Sequence, residues 1–261
     1  MTKTNQMTKQ KGQAEHACPP AFSPLRNLAG ILAAICVIFV LLVTSIEAVC
    51  YSDPGYFKKE YQKYDVLSNL PKMNLEGPDS LMAVTEHMMK YLLGDKDAPK
   101  LQIEVTMDGT RRGFFSEREI LHMEDVRALF AGAQKLRVMA IAAAAALLCL
   151  MRAFLCHTNR AFFCAASKGM LRGALLFLAA AAASGIIFAT NFTQAFITFH
   201  HIFFTNDLWL LDPSVDMLIN IVPEGFFFDT AARILGLFAG LLLFLCIGCG
   251  FILHRFRERK E

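Results

Sequence analysis

The sequence predicts a mainly α, polytopic membrane protein: four transmembrane helices and an extracellular α+β cap. Three observations predict it. Of 261 residues, 55% are hydrophobic and mean hydropathy is +0.40, more apolar than an ordinary soluble domain. Four apolar runs each approach the ~20 residues that cross a hydrocarbon core of ~30 Å. Of the segments between them the first is mixed, the second is basic and the third is acidic, the last two as loops on opposite faces of a membrane are. The net charge of +3 forms no dominant basic face, so no nucleic acid is expected as a partner.

Residues 1–27 read as a polar tail interrupted by Pro19, Pro20 and Pro24. The first span is 28–49, apolar but for Glu47 near its end. It is too long for a signal-peptide core and no clean small-residue cleavage site follows, so it is expected to be retained as an anchor. Residues 50–134 form the cap. Within it Leu81–Leu93 has helical spacing behind the cap sequence Pro78-Asp79-Ser80. Leu101–Met107 alternates as a strand does, Asp108-Gly109 signals a turn, and Gly113-Phe114-Phe115 is expected to begin the return strand. Ser116-Glu117-Arg118-Glu119 then opens a helix with a serine cap and an acidic first turn. Ile120, Met123, Val126, Leu129 and Phe130 share one face of it.

The second span is 135–156, with Arg152 able to snorkel to the interface, and the third is 171–190. Both are rich in alanine and glycine, which permits close helix approach in lipid. Residues 157–170 join them as a loop, 191–230 form an aromatic loop, 231–253 are the fourth span, and 254–261 a basic tail. The 157–170 loop and its flanks carry Arg152, Arg160, Lys168 and Arg172 without an acidic residue, whereas 191–230 carries Asp207, Asp212, Asp216, Glu224 and Asp229 without Lys or Arg. Positive charge inside places both termini in the cytoplasm and 50–134 with 191–230 on the outer side. The eight cysteines fall mostly in or beside apolar runs, which reads as free thiols in apolar surroundings rather than a disulfide framework; Cys246-x-x-Cys249 lies inside an apolar helix with no second pair.

Chemistry concentrates at the outer boundary. His122 lies on the amphipathic helix shortly before the second span, and His200 just past the third, so topology allows them to meet. A buried imidazole there suits proton transfer near neutral pH. A pair of hydrogen-bonded interfacial histidines is the plainer alternative. His122-x-x-Asp125 sets a carboxylate one helical turn away, either to orient the ring or to share a metal with Asp207, Asp212 or Asp216. His87, His157, His201 and His254 fit no such pairing. Around His200 the sequence mixes rings with polar groups: Phe199, Phe203, Asn206, Asp207, Trp209 and Asp212, then Glu224 ahead of three phenylalanines. An aromatic belt needs no Asn, Asp or His, so this mixture suggests a site for an amphiphile.

At these residues the sequence resembles the bacterial lipoprotein intramolecular transacylases. The resemblance rests on Tyr61–Val66, Leu92-Leu93-Gly94, Phe115–Glu119, His122–Val126, and above all Phe199–Pro213 with Pro223–Phe227. With the four-span layout it covers nearly all of 28–254. It implies an acyltransferase of the bacterial cytoplasmic membrane, with its active site on the extracellular side. Its substrate is a lipoprotein whose N-terminal cysteine carries an S-diacylglyceryl group, and the product is the lyso-form. It further implies that His122 and His200 are catalytic, that no cofactor or resident metal takes part, and that membrane lipid is a partner beside the substrate. Asp125, Glu117, Tyr64, Phe199, Phe203, Asn206, Asp207, Trp209, Asp212 and Glu224 are the expected supporting or substrate-binding residues. Two rivals remain open on the residues alone: a metal-dependent membrane hydrolase and a non-enzymatic lipid-binding scaffold.

Overall fold

The computed structural model describes residues 24–51, 55–69, 75, 78–190 and 192–258; the rest of the expected tails, 1–23 and 259–261, lies outside them. Helix α1 (Pro24–Tyr51) opens on a proline, whose missing N–H is no loss in a first turn. It is followed by α2 (Tyr56–Lys63), a 3-10 turn (Val66–Asn69), α3 (Pro78–Leu93), β1 (Glu104–Met107) and β2 (Thr110–Gly113). Then come α4 (Glu117–Leu150), which continues as a π turn (Met151–Leu155), α5 (Asn159–Thr190), α6 (Phe192–Phe203), α7 (Leu218–Ile221) and α8 (Glu224–Glu258). Among the described residues four stretches are long and apolar enough to cross a membrane: Pro24–Tyr51, Glu117–Leu155, Asn159–Ala182 and Glu224–Arg257. The chain is a mainly α, multi-pass membrane protein with one small sheet.

Several boundaries differ from expectation for local reasons. The return strand starts earlier, at Thr110, because Asp108 (φ 53°) and Gly109 (φ 68°) form a two-residue turn that pairs Met107 directly with Thr110. Phe115, expected in that strand, is bonded through its backbone N–H and C=O to the side-chain amide of Gln102 (3.1 and 2.9 Å). The 157–170 loop is helical from Asn159, since Thr158 Oγ1 accepts the Ala161 N–H (3.1 Å) and caps the helix. The 191–230 segment carries α6, and the last helix begins at Glu224 rather than near 231. Helix α2 was not legible in the sequence pattern.

The chain divides into two compact units. The helical unit takes its described residues from 24–43, 137–184 and 236–258. Its core contains Ala34, Ile38, Met170, Ala174, Phe238 and Leu242. A Cβ on Gly169 would fall 2.6 Å from the Gly30 carbonyl carbon, and one on Gly173 2.6 Å from the Ala34 Cβ. The close approach is therefore between α1 and α5. The alanines at 142, 143, 145 and 146 of α4 are exposed instead.

The mixed unit comprises the described residues of Thr44–Leu136 and Gly185–Leu235. Tyr61, Leu81, Val84, Leu101, Met107 and Ile221 are its fully buried centre, with the Tyr61 hydroxyl 2.8 Å from that of Thr85. Helix α3 ends where Gly94 takes φ 74°, with Gly94 N–H on the Tyr91 carbonyl and Asp95 N–H on that of Lys90 (3.0 Å each). Of the face expected on the next helix, Met123 is buried in this core and Ile120 and Val126 pack against it, whereas Phe130 meets the Tyr51 ring.

Candidate active site

The first turn of α4 is fixed by reciprocal capping. Ser116 Oγ accepts the Glu119 N–H (3.3 Å), and Glu119 Oε2 accepts the Ser116 N–H (2.6 Å). Glu119, fully buried, also accepts the Leu218 N–H through Oε1. Ser116 Oγ donates to Asp216 Oδ1 (2.9 Å), whose Oδ2 accepts the Asp212 N–H (2.8 Å). Two buried carboxylates thus tie the start of α4 to the 212–218 segment. Burial holds the Glu119 carboxyl above its usual range, against the hydrogen bonds that favour its charged form. The serine cap was legible in the sequence. The partnership with Asp216 was not, because its members lie 100 residues apart.

One turn along α4 is His122, only 6% exposed, and on α6 is His200, 7% exposed. Their ring centroids are 6.0 Å apart at an interplanar angle of 35°. That is too far for a stacked pair and close enough for both rings to face one substrate group. His200 Nδ1 lies 2.7 Å from the Phe196 carbonyl one turn back. A carbonyl oxygen only accepts, so Nδ1 carries the hydrogen and Nε2 is the free basic nitrogen. Burial lowers the His200 pKa, opposed by this carbonyl bond and aided by His201. His122 Nδ1 is buried without a hydrogen-bond partner. Burial, then the neighbouring His200, push its pKa down to about 4, against a smaller opposing pull from Asp125. Both imidazoles are neutral at neutral pH.

Rings enclose the pair. His200 touches Phe196 (4.1 Å between centroids), Trp209 (4.7 Å, stacked), Phe199 (5.4 Å) and Phe204 (5.6 Å); His122 meets Phe204 edge-on at 5.3 Å. Phe196 and Phe204 lie one helical turn either side of His200, a spacing that could have found them. Phe203 meets Phe199 at 4.7 Å with the rings tilted by 45°, and both are well exposed. Trp209 is 7% exposed, with His201 against its edge (5.2 Å).

The turn that carries Trp209 is anchored on α4 at two points. Asn206 Nδ2 donates to Asp125 Oδ2 (2.8 Å), and Arg118 donates to the Asp207 carbonyl. Asn206 Oδ1 also accepts the Leu208 N–H (3.1 Å). Asp125 therefore serves Asn206. The expected pairing of Asp125 with His122 is not made as a hydrogen bond, because the carboxylate is turned to the amide across the chain. The other expected residues make their contacts elsewhere. Tyr64 donates to Asp229 Oδ2 (2.6 Å), where Lys63 also binds; Glu224 accepts from Thr193 (2.7 Å); Asp212 receives both the N–H and the hydroxyl of Ser214. Glu117 and the Asp207 side chain are exposed. Among the described residues no group of three His, Cys, Asp or Glu could hold a metal ion, so the histidine pair gains no third ligand from the outer aspartates.

A family model described as lipoprotein intramolecular transacylase Lit matches residues 31–227. Curated proteins give no match. Among solved structures the chain is similar to the membrane integral lipoprotein intramolecular transacylase Lit from Bacillus cereus. The TM-score is 0.62 at 21% identity, over 90% of this chain and 97% of that one. Two variants of that protein with one histidine replaced match at the same TM-score and 19% identity, over 90% and 89% of this chain and 94% and 96% of theirs. The likeness in structure is one of fold.

Proposed function

The chain belongs to the lipoprotein intramolecular transacylase family. On that premise we propose that it moves the sn-2 acyl chain of a lipoprotein's S-diacylglyceryl group to the α-amine of the same N-terminal cysteine, leaving the lyso-form. The observation that carries this reading is the convergence of His122 and His200, distant in sequence, at 6.0 Å inside a box of rings.

His200 is the base. The neutral fraction of the α-amine, whose free pKa is ~7.7–8.0, attacks, and Nε2 takes the one proton that the nitrogen sheds as it bonds to carbon. The nitrogen bonds to the ester carbonyl carbon, and the carbonyl becomes an oxyanion. As the C–O bond to glycerol breaks, the proton on His200 passes to the glycerol oxygen. His122, neutral and with its low pKa, acts as a hydrogen-bond donor to that departing oxygen. Amine and ester belong to one molecule, so no acyl-enzyme is required, and holding them together supplies up to ~7–11 kcal/mol of the barrier. The rings of Phe196, Phe199, Phe203, Phe204 and Trp209 receive the acyl-glyceryl portion and keep water from the ester. The loop charges support an orientation with both termini in the cytoplasm and the histidine pair on the outer side of the cell membrane.

The test is mass spectrometry of the N-terminal peptide of a diacylglyceryl lipoprotein, with and without this protein. The expected product has unchanged mass with one acyl group on nitrogen. His122→Ala and His200→Ala should lose the product, and His157→Ala should keep it. Free fatty acid in place of an N-acyl peptide would instead make the protein a hydrolase.

A further inference from the structure

Two polar atoms at this site are buried and have no partner: His122 Nδ1 and Trp209 Nε1. The indole nitrogen is the more telling. It is a donor only, so nothing but an acceptor can satisfy it. A buried donor left unmade costs ~1–3 kcal/mol. Trp209 is 93% removed from solvent by its 7% exposure, and its face is already used, stacked on His200. Its position is fixed from outside the site, by the Asn206–Asp125 and Arg118–Asp207 bonds on the residues just before it. A donor held rigidly beside the base, with no acceptor in the protein, is preorganised for one that arrives with substrate.

We propose that the Trp209 indole N–H is the hydrogen-bond donor to the ester carbonyl oxygen of the substrate, holding it as that oxygen gains charge. The assignment rests on the transacylase reading above. When the amine nitrogen adds to the carbonyl carbon, the π electrons move to oxygen and the Nε1–H···O bond strengthens. When the glycerol oxygen leaves, they return and the bond relaxes. Trp209 gives up no proton in this sequence; the one released by the amine travels through His200 to glycerol. Phenylalanine would also fill the stacking position against His200, so stacking alone does not require the nitrogen found here.

Trp209 is the single tryptophan of the chain, which makes the test direct. Trp209→Phe keeps a ring against His200 and removes the N–H. Its rate of acyl transfer should fall by ~10²-fold with little change in KM, the size expected for one lost oxyanion donor. Binding is read separately in the His122→Ala protein by tryptophan emission. A diacylglyceryl-cysteine peptide should shift the emission, and the matching dialkyl-ether peptide, which lacks the carbonyl, should bind without shifting it. Equal shifts from both peptides, or Trp209→Phe working within a few-fold of wild type, overturn the assignment and leave the transacylase reading standing. If Trp209→Phe does not fold, the emission comparison alone decides. Failure of the wild-type protein to move any acyl group removes the reading and the assignment together.

Discussion

The two units of the chain are held by different physics. In the helical unit, shape does the work: Gly30 lies against Gly169, and Gly173 against Ala34, with aliphatic side chains and the Phe177–Phe238 contact (5.3 Å) completing the core. Close approach of small residues is how helices gain dispersion energy where lipid offers no hydrophobic driving force. In the mixed unit, polar groups specify the structure: the buried Glu119 and Asp216 and the half-buried Ser116 and Asp125–Asn206 pair each satisfy a named partner. Burial makes every such group costly if unpaired. The comparison teaches where to look for chemistry. Among the described residues of this unit Tyr51 Oη and Glu60 Oε2 also lack a partner, but only His122 Nδ1 and Trp209 Nε1 do so at the histidine site, where a bound substrate can supply one.

The largest effect should come from the histidines, and it tests whether the mixed unit's polar centre is functional rather than structural. His200→Ala and His122→Ala should each lower the acyl-transfer rate by ~10²–10⁴-fold while the thermal unfolding midpoint stays close to wild type. A large drop in that midpoint with proportionate activity per folded molecule would recast the pair as structural. Gly169→Val probes the opposite unit. It forces side-chain atoms into the Gly30 backbone and should cost ~1–3 kcal/mol of stability, with activity per folded molecule retained, as read by thermal unfolding in detergent alongside the assay.

Glu119→Ala should combine the two signatures. It strips the Ser116 and Leu218 N–H groups of their acceptor, a loss of ~1–3 kcal/mol for each buried group left unsatisfied. Because Glu119 joins α4 to the 212–218 segment, the rate should fall as well. Glu119→Gln should recover part of both, since its amide offers one acceptor where the carboxylate offers two.

The pH dependence separates substrate from enzyme. His122 stays neutral down to about pH 4, so the rise of kcat/KM between pH 6 and ~8 should follow the substrate amine and move with it when an amine of lower pKa is supplied. Stability carries the sign of the same burial. The pKa is depressed in the fold, so the unfolded chain protonates first as pH drops below ~6.5, and stability declines from there towards about 4. His122→Phe should flatten that slope in unfolding measured against pH.

The smallest expected effect is the most discriminating about Asp125. If it anchors Asn206, Asp125→Asn keeps an acceptor and stays within a few-fold of wild type, while Asp125→Ala falls ~10-fold, the loss expected for one hydrogen bond of ~1.4 kcal/mol. Were Asp125 tuning His122 instead, both substitutions would shift the pH profile alike.

What could be read in the chain by itself was whatever depends on neighbours a few residues away. Apolar runs of membrane length gave four spans, the Asp108-Gly109 pair gave the hairpin turn, and Ser116 with Glu119 gave the capping box. Topology singled out His122 and His200, and the resemblance added the family and the catalytic role it implies for them. Local pattern was silent on what distant segments do to one another. Only folding in three dimensions turned the Asp125 carboxylate to Asn206, brought Asp216 onto Ser116, moved the close approach to α1 and α5, and left an imidazole and an indole nitrogen without partners at the histidine site. The reason is physical. A turn or a cap is decided by torsions and hydrogen bonds within one or two turns of chain, whereas a buried polar group is satisfied by whichever surface the whole fold presses against it.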